Sequence, residues 1–158
     1  MTVRRKVLAN LLVAAVASTM WLGVTPANAA PATLVSALEG GAAEVPDPGD
    51  PDGSGAAEVK VYVKKEKLCF TLVVLDITLP TAAAHIHDGG AGAAGPIVVT
   101  LKAPEEVAGS GIGLATGCVK QLDRPLLRDI KENPADYYIN VHTSDFPGGA
   151  VRGQLEAA

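Results

Sequence analysis

From Glu58 to Lys64 apolar and polar residues alternate strictly. Val59, Val61 and Val63 share one face of an extended chain, and Glu58, Lys60, Tyr62 and Lys64 share the other. Successive side chains on a strand point to opposite faces, so the pattern predicts a half-buried strand of an antiparallel sheet. The charged run Lys64-Lys65-Glu66-Lys67 supplies a turn, and Leu68 to Leu75 the hairpin partner. Phe70, Leu72 and Val74 point one way along that partner, and Cys69, Thr71, Val73 and Leu75 the other. Apolar groups on both faces suit a strand inside a sandwich. Shorter strands are predicted over Thr33–Leu38, with Leu34 and Leu38 on one face, and over Ala82–His87, Ile97–Leu101, Ile112–Val119, Tyr137–Thr143 and Ala150–Leu155. One helix has Asp123 as N-cap and Pro125 in its first turn, buries Leu126, Leu127 and Ile130, and stops before Asn133-Pro134; a residue preceding proline avoids helical backbone. About eight short strands with breaker-rich turns and one short surface helix define an all-β chain, an antiparallel β-sandwich.

Two loops invite functional readings that fail. The acidic stretch from Glu39 to Gly55 contains Asp50, Asp52 and Gly53, at the spacing of the third, fifth and sixth positions of a calcium loop. That alignment puts Pro48 first and Val59 twelfth, where ligands are required, so the stretch reads as a solvated turn. The segment from Asp88 to Pro96 is glycine-rich but lacks the lysine and Ser/Thr of a phosphate loop and opens no helix. Glycine there lets backbone pass close to other groups or turn sharply.

The amino terminus reads as an export signal. Arg4, Arg5 and Lys6 precede an apolar stretch from Val7 to Val24, and Ala27-Asn28-Ala29 is an A-x-A cleavage site. Cleavage after Ala29 leaves residues 30–158 as one domain, large enough to bury a core. An uncleaved anchor is the alternative, but Asn10, Ser18 and Thr19 interrupt the stretch, and no later segment is apolar enough to span a bilayer. The adjacent arginines suggest a twin-arginine signal, yet the following Lys-Val-Leu fits it poorly and the general secretory route is favoured. Removing the three basic residues leaves 10 basic against 17 acidic, a formal charge of −7. That excess argues against a nucleic-acid or anionic-lipid partner, both of which need a basic face, and is compatible with cation binding. Cys69 and Cys118 are the only cysteines. In an exported chain such a pair reads first as a disulfide. The alternative, two thiolate metal ligands, has no C-x-x-C and no neighbouring histidine to support it.

All three histidines lie in two segments, Ala84-His85-Ile86-His87-Asp88-Gly89 and Tyr138-Ile139-Asn140-Val141-His142-Thr143. In extended backbone His-x-His puts both rings on one face, about 6–7 Å apart at the backbone. If His142 lies on a strand packed nearby, the chain holds one three-imidazole site. Neutral imidazole suits copper and zinc, and three histidines with an open fourth position are a known arrangement for both. Asp88 or Asp145 would then serve as a fourth ligand or as an acceptor that orients a ring. A second reading is structural. Tyr138, Asn140 and His142 share one strand face, and Arg152 and Gln154 share another. Asn140 and Arg152 have the hydrogen-bonding capacity to join a satisfied polar network that pins the Gly-rich loop to the C-terminal hairpin. A pocket for an extracellular polar ligand is the third reading. Ser144 and Asp145 adjoin His142, but neighbours on a turn point in different directions and make no triad.

Leu38-Glu39-Gly40 with Glu44-Val45-Pro46, the Ala84–Gly89 segment with Gly95-Pro96, Asn133–Thr143, and Pro147-Gly148-Gly149-Ala150-Val151-Arg152-Gly153-Gln154-Leu155 together resemble the chordin-type, or CHRD, domain. The likeness spans essentially the whole mature chain and rests on AHIHxG and NVHT…P-G-x-x-RGQ. It implies an extracellular β-sandwich, immunoglobulin-like or superoxide-dismutase-like, without implying growth-factor binding. A fainter likeness to copper/zinc superoxide dismutase lies in His-x-His followed by a Gly-rich stretch ending in Gly-Pro, two cysteines and a late arginine. Three histidines cannot supply both of that enzyme's metal sites, so the likeness supports at most one mononuclear site. The expected function is a secreted binding or structural module without hydrolytic activity, the alternative a mononuclear copper or zinc protein with redox chemistry open to it.

Overall fold

The computed structural model describes residues 30–158. The segment read as an export signal lies outside the described residues. Ten strands and one helix follow in the order β1 (Ala32–Glu39), β2 (Ser54–Tyr62), β3 (Lys67–Leu75), β4 (Ala83–Asp88), β5 (Ile97–Leu101), β6 (Glu105–Glu106), β7 (Ile112–Lys120), α1 (Arg124–Glu132), β8 (Tyr137–His142), β9 (Val151–Gln154) and β10 (Glu156–Ala157). All strand pairs are antiparallel, in the order β5-β4-β8-β9-β1-β2-β3-β7-β6, with β10 added on β1. The sheet curls so that its two halves face each other across one core. Leu34, Val59, Val61, Leu68 and Leu72 come from one half, and Ala84, Ile86, Ile139, Val141 and Val151 from the other. The all-β, antiparallel reading holds.

Three details depart from the sequence expectation. The two extra strands are two-residue pairs, Glu105–Glu106 and Glu156–Ala157, too short to show a period. The β2 alternation ends at Tyr62 because Val63–Lys65 tighten into a 3₁₀ turn, which leaves Glu66 in left-handed backbone. On β3 only one face is covered: Leu68, Phe70, Leu72 and Val74 are buried, whereas Thr71 and Leu75 are exposed. The expectation of a strand buried on both sides is corrected. Leu75 and Val73 pair with Ile112 and Leu114 of β7 and lean on one another at the surface instead. The helix seals one end of the core with Leu127 and Ile130, while Leu126 is only half-buried.

Cys69 and Cys118 are direct cross-strand partners on β3 and β7 and form a disulfide, so neither sulfur is free to bind metal. The bond closes a loop of 49 residues' separation, which constrains the unfolded chain by about 4 kcal/mol in the chain-entropy account. Reduction is expected to lower the thermal midpoint by at least about 5 °C. A calorimetric scan with and without reductant checks this, and an unchanged midpoint refutes a stabilising role.

Candidate metal centre

Strand β8 lies between β4 and β9, and its register aligns the polar residues in rows. His142 faces Ala83; Asn140 lies between His85 and Arg152; Tyr138 lies between His87 and Gln154. The first row to include Arg152 continues to Glu39 on β1. All these side chains project from the face opposite Ala84, Ile86, Ile139 and Val141, which are fully buried in the core. An outer face of an antiparallel sheet is normally solvated. Here His87, Tyr138, Asn140 and Arg152 are buried as well, because the Gly-rich loop after β4 folds back over them.

The loop is held by side chains from the sheet beneath it. Arg152 Nη2 donates to the Gly90 carbonyl at 2.9 Å, and Gln154 Nε2 to the Gly89 carbonyl at 3.1 Å. The Gly95 amide donates to the Tyr138 hydroxyl at 3.2 Å. Gly95 passes so close to the Asp88 carbonyl that any side chain there would collide with it. Tyr138 also stacks on the His87 ring, with centroids 4.7 Å apart and planes 10° from parallel. The Arg152 guanidinium carbon lies 3.4 Å from the Tyr138 ring centre, a cation–π contact.

The three imidazoles meet. His85 and His142 have ring centres 5.0 Å apart, and His85 and His87 5.6 Å. One nitrogen from each ring can be chosen so that all three lie within 4.8 Å of one another. His85 Nδ1 is 3.1 Å from His142 Nε2. Two nitrogens bound to one ion at about 2.05 Å and a tetrahedral angle stand about 3.3 Å apart, so this pair already has nearly that spacing.

Backbone carbonyls fix the tautomers. His87 Nδ1 lies 2.8 Å from the Gly95 carbonyl, and His142 Nδ1 lies 3.0 Å from the Pro147 carbonyl. A carbonyl only accepts, so both Nδ1 atoms carry the proton and both Nε2 atoms present lone pairs. His142 Nε2 then accepts from His85 Nδ1. His87 Nε2 is buried with no partner. Burial, with a smaller contribution from the neighbouring rings, holds His85 below the ordinary imidazole pKa. Burial, with His87 adding to it and the Pro147 bond opposing, does the same for His142. Both effects favour the neutral, ligating form.

Neither aspartate takes the part expected of it. Asp88 is exposed at the end of β4 and lies outside the three-histidine group. Asp145 accepts from Thr78 at 2.5 Å and from Ser144 at 3.2 Å, which turns it away from His142. The rings are oriented by loop carbonyls, and nothing in a residue pattern marks a carbonyl. Asn140 is central to the polar rows, but its Oδ1 is buried without a partner.

Sequence reading missed Glu44. It follows the 3₁₀ turn Gly41–Ala43, is only 3% exposed, and has one unpartnered oxygen. Gly149, at φ 143°, touches its carboxyl group, and a side chain there would strike it. Glu44 therefore supports the turn whose Pro147 carbonyl orients His142. An acid flanked by Ala43 and Val45 in a loop of small residues was the available signal.

This is a β-sandwich domain, its sheet curled and continuous, with a three-imidazole cluster on its outer face beside two loops. The chain belongs to the CHRD domain family, whose model matches residues 34–155. No curated protein and no solved structure matches the chain.

Burial raises the Glu44 pKa to about 7, against opposing contributions from Arg152 and the Val45 amide. An unfolded glutamate titrates near about 4.3. Between those values the folded chain holds a proton that the unfolded chain has lost, so this group's contribution to stability falls as pH rises through that window. Relative to the wild type, Glu44→Gln is expected to gain about 1–2 kcal/mol at pH 8, a gain that shrinks as pH falls through that window and is mostly gone by about pH 4.5. Denaturant titrations at both pH values check it; a pH-independent difference rejects the assignment.

Proposed function

We propose that this chain is an exported binding module of the CHRD family that holds one copper or zinc ion between His85, His87 and His142. The observation that carries the reading is the bare, buried Nε2 of His87. A buried polar atom without a partner costs free energy, and an ion satisfies this one without moving the ring. The carbonyl bonds on Nδ1 of His87 and His142 are the outer partners that ligating histidines ordinarily have. His85 completes the set by placing its proton on Nε2 and turning its Nδ1 lone pair inward. Copper and zinc fit three neutral nitrogens, whereas calcium and magnesium need oxygen ligands, and both nearby aspartates are turned elsewhere.

Export follows from the basic, apolar and A-x-A segments of residues 4–29 and agrees with the Cys69–Cys118 disulfide. Among the described residues, no helix is long and apolar enough to cross a membrane. The contacts give no serine-type pair: the Ser144 hydroxyl donates to Asp145, and His142 bonds the Pro147 carbonyl through Nδ1.

Elemental analysis of protein purified without a histidine tag tests the proposal. After loading with copper or zinc and desalting, about one ion per chain is expected, with most of it lost in a folded His87→Ala variant. Affinity should fall with pH only below the ordinary imidazole range of about 6.5, because His85 and His142 are held neutral. Failure to retain either metal makes the histidine cluster purely structural.

A further inference from the structure

The Gly-rich loop is tied to the ring of one candidate ligand and also walls a separate cleft. Its segment from Gly89 to Pro96 is held by few bonds: those already given from Arg152, Gln154, Tyr138 and His87, the Gly89 amide to the Asp136 carbonyl at 2.7 Å, and the Asp88 amide of β4 to the Pro96 carbonyl at 3.0 Å. Between these anchors Ala91 to Ala94 are exposed, and the only hydrogen bond there is Ala93 to Gly90 at 3.1 Å. The outer side of the loop, at Ala91 and Gly92, forms one wall of a cleft of about 400 Å³ that also involves Glu39, Arg152 and Gln154.

We infer that metal occupancy at the three histidines fixes this loop and thereby sets the shape of the cleft beside it. The inference rests on the metal reading above. His87 Nε2 faces the histidine cluster, and its Nδ1–H holds the Gly95 carbonyl. An ion on Nε2 draws electron density from the ring and makes Nδ1–H a stronger donor. It also removes the ring's freedom to turn away, so the Gly95 tether tightens. Gly95 in turn supplies the amide bonded to Tyr138, which is stacked between His87 and Arg152, and Arg152 holds Gly90. The tether, the stack and the Arg152 bond lie within one connected group of contacts. Coupling of this kind is reciprocal: whatever loosens the loop must weaken the metal by the same factor.

Amide hydrogen exchange on the full mature chain, with zinc or copper(I) alone as the probe, reads the effect. The Gly89, Ala93 and Gly95 amides should exchange at least about fivefold more slowly with metal bound, whereas amides in β2 and β3 should not change. The reverse arm uses Gln154→Ala, which removes the bonds to the Gly89, Ala135 and Tyr137 carbonyls and the one accepted from Arg152, but none to a histidine. Its metal affinity should drop at least about fivefold while its thermal midpoint confirms a folded chain. Stoichiometric metal with unchanged loop exchange, or a folded Gln154→Ala variant of undiminished affinity, overturns the coupling and leaves the metal site standing. No bound metal overturns both.

Discussion

Everything at the three-histidine cluster depends on the register of β8 between β4 and β9. Side chains alternate with a period of two, so a slip by one residue would send the histidines into the core and Ile86, Ile139 and Val141 outward. Those three and Ala84 are fully buried, which makes such a slip costly by several side chains at once. The apolar face therefore sets the coordinates of the polar one. His85 meets Asn140 and His87 meets Tyr138 in this register, and the alanine, isoleucine and valine on the reverse side exclude the one-residue slip that would turn them inward.

Placing polar side chains under loops solves one problem and creates another. The loops shield His87, Tyr138, Asn140 and Arg152 from water, so each must find partners within the protein. Arg152 spends one nitrogen on Gly90 and Gln154 and presents its plane to Tyr138, while its other terminal nitrogen has no partner. Glu44 is near enough for the Arg152 charge to act on it, yet burial outweighs that attraction and leaves the acid readily protonated at neutral pH. The result is a buried acid of raised pKa near the Arg152 cation, beside His85 and His142, which burial holds toward the neutral form.

Much of the fold was legible because its signals are local. Strict alternation over Glu58–Tyr62, a helix start at Asp123 with Pro125 behind it, and glycine-rich turns each follow from short-range physics. The His-x-His spacing located one half of the centre, and an extended segment around His142 located the other. What could not be read was set by distant backbone. No residue pattern shows that Gly95 and Pro147 carbonyls aim at imidazoles, or that Asp145 is taken by Thr78 from 67 positions away. Glu44 was hidden for the same reason, since a lone acid in a loop is ordinarily solvated and it takes the close approach of Gly49 and Gly149 to enclose it. On β3 the composition of the outer face misled, because exposed Leu75 reads like a core residue until its neighbours on β7 are known.

A structural network and a metal site are usually weighed as rivals for a histidine cluster, but this geometry is compatible with both at once. A network wants each ring nitrogen paired, and the loop carbonyls pair Nδ1 of His87 and His142. Those same bonds fix the protons on Nδ1 and so expose Nε2. His142 resolves its bare nitrogen by accepting from His85, whereas His87 has no such neighbour and its nitrogen is left buried and unpaired. A purely structural cluster would have gained by rotating His87 or by placing a hydroxyl beside it. The stack of His87 on Tyr138 and the tether to Gly95 together prevent that rotation. The protein thus keeps a nitrogen lone pair buried and unpartnered, at a cost, on a ring grouped with two other imidazoles.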